Sequence, residues 1–142
     1  MKVHDKASWH WEGKFPAGVA KEQAYVPAGL LLAWLAECGL LSADAEREFP
    51  DELSDLRAGL KTGPVVYRLM GGVLADDLLT PDASTFLSEY LDLDTGRFWD
   101  DYGRLTKGLQ SDYHVPDTKE SCQRPSVLVD ARFSQWKAGR VS

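Results

Sequence analysis

Between Val26 and Cys38 the chain is apolar around its whole circumference: Leu30, Leu31, Leu32, Ala33, Trp34, Leu35 and Ala36 follow one another with no polar side chain to mark a solvent face. A helix that is hydrophobic all round has to be covered on every side, and a run this short falls well below the roughly 20 residues that cross a bilayer. The segment therefore predicts a central, most buried helix. Pro27 sits in its first turn, where a missing N–H is tolerated, and Gly39 suits the position after its last turn. The rest of the chain must supply the cover. At 142 residues and 44% hydrophobic, it has the size and apolar content of a single domain that buries a core without staples.

The flanking sequence punctuates into helices. Pro50-Asp51-Glu52 opens one with acids at the positive end of the macrodipole, and Leu53, Leu56 and Leu60 form its stripe. Ser42 or Asp44 caps a short acidic turn before it. After Gly63-Pro64, a third segment places Val66, Leu69, Met70 and Val73 on one face, with Gly71-Gly72 limiting its length. Asp76-Asp77 reads as a turn. Thr80-Pro81-Asp82 is the clearest helix start, leading into Ala83, Phe86, Leu87, Tyr90 and Leu91. Phe98, Tyr102, Leu105 and Leu109 make another stripe, which sets Trp99 about 100° round the helix beside Asp100. Residues 110–125 read as a loop, and Ser126 as the cap of a last helix carrying Val129, Phe133 and Trp136. The expected architecture is mainly α: one compact bundle of about five to six helices over residues 1–142. It comprises an ordered aromatic arm (1–25), a helical body (26–109), and a long loop with a C-terminal helix (110–142). In an extended arm, Trp9 and Trp11 share one face and pack on the central helix, leaving His10 on the other.

Charge is unevenly distributed. Residues 37–101 hold fifteen carboxylates against five basic side chains, a local balance of −10, whereas the flanks carry +1 and +3. Such a stretch repels phosphate backbones and anionic lipid and attracts a cationic protein surface, which argues against nucleic-acid and membrane partners. The N-terminus lacks the apolar core of a secretory signal, and Cys38 and Cys122 fit neither a disulfide framework nor a zinc cage, so a cytoplasmic setting with reduced thiols is expected.

No catalytic motif emerges. The only histidines are His4, His10 and His114, there is no G-x-S-x-G elbow or P-loop, and Gly71-Gly72 lacks the setting of a dinucleotide fingerprint. Asp92-x-Asp94 begins like a calcium loop, but the sixth and twelfth positions are Arg97 and Gly103 where an EF-hand needs Gly and Glu. No metal and no cofactor are implied.

The arm from Asp5 to Pro16 (Asp5, Ala7, Ser8, Trp9, His10, Trp11, Gly13, Phe15, Pro16), followed by Gly29-Leu30-Leu31-Leu32-Ala33-Trp34, resembles an uncharacterised family of small acidic bacterial proteins. That family opens with D-x-A-S-W-H-[YW]-x-G-x-[FY]-P and continues with G-x-x-[LF]-A-W. By size and gene setting its members are similar to immunity proteins of bacterial toxin systems, and the family supplies no catalytic residues to carry over. The resemblance implies a protein that binds a cognate toxin and occludes a basic active-site surface without chemistry of its own. On charge logic the docking patch is expected at Asp92, Asp94, Trp99, Asp100 and Asp101, with Asp76 and Asp77 as a rim. Two other readings stay open: an adaptor or chaperone for a secreted effector, and a small hydrolase, using paired acids with His10 or His114, that reverses a toxin modification. Monomer and homodimer are both compatible with the sequence.

Overall fold

Strand β1 (Val3–Lys6) pairs antiparallel with β2 (Val73–Ala75), and this two-stranded sheet is the only one among the described residues. The α-helices of the computed structural model are α1 (Ala7–Trp11), α2 (Val26–Glu37), α3 (Ala43–Glu48), α4 (Pro50–Arg57), α5 (Gly63–Leu69), α6 (Pro81–Tyr90), α7 (Phe98–Leu105) and α8 (Lys119–Val141). Single 3-10 turns occupy Lys21–Tyr25 and Asp76–Leu78. The structure describes residues 2–13, 15–92, 94, 96–109, 113, 115, 117 and 119–141, and within α8 the side chains of 126–139. The protein is mainly α, as its patterning predicts. Among the described residues eight helices stand where five or six were expected, because the arm and the acidic turn after α2 each close a short helix of their own.

α2 is the hub. Leu32 and Leu35 are fully buried and Trp34 is nearly so, with α4, α5, α8 and the first 3-10 turn packed around them. The closest approach is to α5, where two glycines meet. A Cβ on Gly29 would stand 2.4 Å from Pro64 Cα, and one on Gly63 would stand 2.1 Å from the Gly29 carbonyl oxygen. Backbones in direct contact leave no room for any side chain at either position. On the other side, Trp34 meets Phe86 of α6 and Phe133 of α8 with ring centroids 5.9 and 5.4 Å away. One continuous apolar core thus runs from Ala7 to Phe133.

Local signals set the helix starts. Ser42 Oγ accepts from Ala45 N–H at 3.1 Å and Thr80 Oγ1 from Ala83 N–H at 3.3 Å, each satisfying a first-turn donor. Helix stops differ from the expected ones where an apolar stripe continues past the last turn. α4 ends at Arg57, with Gly59 at φ 77°, so Leu60 lies beyond the helix and is exposed. Leu109 is exposed likewise after Gly108 (φ 98°), and Leu69, the last residue of α5, faces outward. Val73 belongs to β2, not to a helix face, since Gly71 and Gly72 turn the chain into the strand at positive φ. The last helix begins at Lys119 and runs through Pro125, so the expected loop is shorter than 110–125. Cys38 is exposed with a free thiol, and the side chain of Cys122 lies outside the described residues.

Candidate functional site

The site is built from the N-terminal strand. Val3 pairs with Ala75 and Asp5 with Leu74, so β1 advances two residues while β2 advances one, and His4 is the extra residue of a bulge. Neighbours on a regular strand point to opposite faces; a bulge re-aims one of them. Here His4 and Asp5 are both turned inward, with side chains 1% and 11% exposed. β1 then passes directly into α1, whose turn brings His10 back over Asp5. The arm is helical rather than extended. That reverses the expected packing: His10 is buried, Trp9 is 51% exposed, and Trp11 is half-buried against Tyr25 with the Lys21 ammonium over its ring.

Asp5 and His10 form a buried polar chain. His10 Nε2 donates to Asp5 Oδ1 at 2.7 Å, and the Tyr67 hydroxyl donates to Asp5 Oδ2 at 2.7 Å. With Nε2 protonated toward the carboxylate, His10 Nδ1 accepts from the Tyr113 hydroxyl, also at 2.7 Å. Burial and the Asp5 carboxylate push the Tyr67 phenol far above its usual range, so it stays a donor. A second pair stands beside the first. His4 Nε2 meets Asp76 Oδ1 at 2.6 Å, while His4 Nδ1 has no hydrogen-bond partner among the described residues.

Above these pairs opens a cavity of about 620 Å³, within the range of small-ligand and peptide pockets. β1 and α1 supply Asp5, Trp9 and His10, α2 supplies Leu31, α6 Leu87, and α7 Phe98 and Trp99; Tyr113 closes one side. His10 and Trp99 touch with centroids 5.7 Å apart. Asp92 and Asp94 line the cavity from the exposed turn after α6, where Asp94 N–H donates to Asp92 Oδ1 at 2.9 Å.

A family model described as a domain of unknown function, DUF7832, matches residues 3–115. The chain belongs to that family. The matched segment holds every cavity-lining residue except Lys2 and stops before α8, so the cavity is part of the family domain and α8 lies outside the match. No curated protein and no solved structure matches the chain.

The structure divides the acidic residues singled out from sequence. Asp92, Asp94 and Trp99 come together at the cavity, and Asp100, exposed on α7, follows Trp99 without lining it. Asp101 does not belong to an exposed patch. It is 2% exposed and forked by Arg132 of α8, whose Nε and Nη2 donate to Oδ2 and Oδ1 at 2.9 Å each, with the Tyr90 hydroxyl at 2.7 Å. Burial pushes its carboxyl up, but the Arg132 and Tyr90 bonds and the Arg104 charge outweigh this and hold it below the usual range. Asp76 is tied down too: the Lys2 N–H lowers its carboxyl most, burial opposes this, and His4 and Ser84 add to the lowering, so the carboxyl is held below its usual range. Asp77 is exposed on the second 3-10 turn, where its carbonyl accepts from Ser42 Oγ at 2.7 Å. Further negative charge is met internally by Arg47–Asp44, Arg57–Glu46 and Lys61–Asp55. Sequence reasoning missed Asp5, Tyr67 and Tyr113, because their partners lie 62 and 103 positions apart with no local pattern to reveal them. His114 lies outside the described residues. Among the described residues no cluster of three or more His, Cys, Asp or Glu side chains is placed to hold a metal ion, and no helix is long and apolar enough to cross a membrane.

Proposed function

We propose that this chain is an immunity protein, a cytoplasmic binder that neutralises a cognate antibacterial toxin by direct contact with a basic active-site surface. One observation supports this reading above the rest: an exposed indole, Trp9, and a half-buried one, Trp99, border the same cavity as the carboxylates Asp92 and Asp94, with Asp100 alongside. Aromatic anchors beside unburied acids are the composition of a hot spot for a cationic partner, and the summed field of the acids speeds encounter. Inhibition by occlusion asks only for a rigid scaffold and a displayed patch, and the buried Asp101–Arg132 fork holds α7 and α8 together behind that patch.

Coexpression with the neighbouring reading frame tests it. Growth rescue and copurification are expected, with an association rate that falls as salt rises. Asp92→Lys, Asp94→Lys and Asp100→Lys together should abolish rescue; Asp101 is left untouched because its reversal would unfold the protein. Rescue that survives the triple reversal overturns the assignment.

A second reading is favoured by the Asp5–His10–Tyr113 chain. A carboxylate that orients an imidazole whose other nitrogen faces a hydroxyl is the arrangement used to move protons, so a small hydrolase acting on a toxin-modified target fits the same cavity. Multiple turnover on modified target with this chain well below its substrate, lost in His10→Gln, would establish that reading over occlusion.

A further inference from the structure

We infer that the cavity binds an uncharged aromatic small molecule, held between its ring walls and by one O–H or N–H donated to His4 Nδ1. This goes beyond the toxin-binding reading, which asks only for the exposed rim. Asp76 Oδ1 accepts from His4 Nε2 at 2.6 Å, so the proton of the neutral imidazole sits on Nε2 and Nδ1 is left as an acceptor. His4 belongs to the cavity lining, and its side chain is 1% exposed. Within that lining, Nδ1 is the one buried side-chain nitrogen or oxygen with no hydrogen-bond partner among the described residues. A buried acceptor left unmet is a standing cost, which a donor brought by a ligand removes.

The charged groups of the lining select against an ionic ligand, because they are engaged inside the protein or stand in water. Asp5 takes Tyr67 and His10, Lys2 Nζ donates to Ser88 Oγ at 2.6 Å, Asp92 Oδ1 accepts from Asp94 N–H, and Asp94 is itself exposed. An ion entering the cavity would give up its hydration for counter-ions already paired or hydrated, and an anion would also meet three carboxylates against one ammonium.

The walls select a ring. Trp9, Phe98 and Trp99 supply aromatic surface, and Leu31 and Leu87 supply aliphatic surface. Phe98 and Trp99 meet edge to face, with centroids 4.9 Å apart and planes at 79°, and His10 tilts against Trp99 at 5.7 Å. Rings set at such angles offer both a face and an edge to a further ring, and stacked or T-shaped contacts add to simple burial. A volume of about 620 Å³, mostly apolar with a single unmet polar atom to fix orientation, is that of a whole small-molecule site.

The test uses the full chain and three probes with one ring system: β-naphthol, its methyl ether, which lacks the donor, and β-naphthoate, which adds a negative charge. Binding is read from the Trp9 and Trp99 indole signals and the His4 imidazole signals in nitrogen NMR spectra. β-Naphthol is expected to saturate and to move the Trp99 and His4 Nδ1 signals together. It should bind about three- to tenfold more tightly than the ether, the worth of one hydrogen bond, with the naphthoate weaker still. His4→Phe removes the acceptor and should bring naphthol and ether to equal affinity, a comparison made within one variant and therefore insensitive to its overall stability. Should that variant fail to fold, the parent's naphthol-to-ether ratio and Nδ1 shift decide alone. Equal binding of naphthol and ether by the parent, a naphthol preference that persists in His4→Phe, or no saturable shift of Trp99 overturns the inference. Toxin neutralisation is scored separately by coexpression. Rescue without naphthol binding discards the ligand site alone, and naphthol binding without rescue supports it while discarding the immunity reading.

Discussion

Replacing Arg132 by Met isolates the buried Asp101–Arg132 ion pair between α7 and α8. Asp101 is 2% exposed and takes two 2.9 Å bonds from Arg132 and one of 2.7 Å from Tyr90, so Arg132→Met leaves an ionised carboxylate in the interior with the Tyr90 hydroxyl as its remaining donor among the described residues. Removing one partner of a buried pair costs about 3–5 kcal/mol. The Arg132 side chain is itself 24% exposed, and its own desolvation opposes part of the gain, so the low end, about 3 kcal/mol, applies. In urea, with a slope of about 2 kcal/mol/M, the midpoint should fall by about 1.5 M, and Tm by roughly 6–12 °C. The pH dependence gives a sharper criterion. In the parent the Asp101 carboxyl is held low, so its contribution is complete above the unfolded value near pH 4 and is lost as pH falls through the lower folded value. In the variant, burial without Arg132 raises the folded value above the unfolded one, so the deficit is full at neutral pH and shrinks as pH approaches about 4. Adding Asp101→Asn to Arg132→Met should recover most of the loss, since no charge then remains to desolvate. A neutral-pH loss below about 1 kcal/mol, or a deficit that grows on acidification, refutes the reasoning.

Gly29→Ala should destabilise by about 3 kcal/mol or more in denaturant melts, because the atoms it meets are Pro64 backbone rather than a movable side-chain tip. Tyr67→Phe strips Asp5 of one buried donor and is expected to cost about 1–3 kcal/mol, with near-parent structure by circular dichroism. Thr80→Ala removes the α6 cap for about 1 kcal/mol, which urea titration resolves, and a matched loss in Ser42→Ala would tie α3 to the same mechanism. Trp9→Ala, at a side chain half in solvent, should leave the melting temperature within about 2 °C of the parent while abolishing partner capture in a pull-down.

Much of the framework follows from neighbouring residues. The all-round apolarity of Val26–Ala36 demanded burial, and every residue of it but the half-buried Ala33 is buried; Ser42 and Thr80 cap because hydroxyls there reach first-turn N–H groups; Ala83, Phe86, Leu87 and Tyr90 line one face because a helix repeats every 3.6 residues. These are short-range geometric facts, so they are legible along the chain. Helix stops were less so, since Leu60 and Leu109 keep the period after the backbone has left the helix at Gly59 and Gly108.

The site was settled at longer range. Nothing next to Trp9, His10 and Trp11 says that the arm coils instead of extending; the pull comes from Asp5 beneath, from Tyr67 across the core and from Tyr113 far along the chain. In the same way, seven aspartates within residues 76–101 look alike as letters, and only folding assigns them different work. Asp101 turns inward to Arg132 and Asp76 to His4, while Asp92 and Asp94 border a cavity with two indoles. Sequence therefore determined that the chain is helical, acidic and built around α2. Tertiary structure decided which charges remain available to a partner, because a carboxylate's exposure depends on donors brought to it from distant segments.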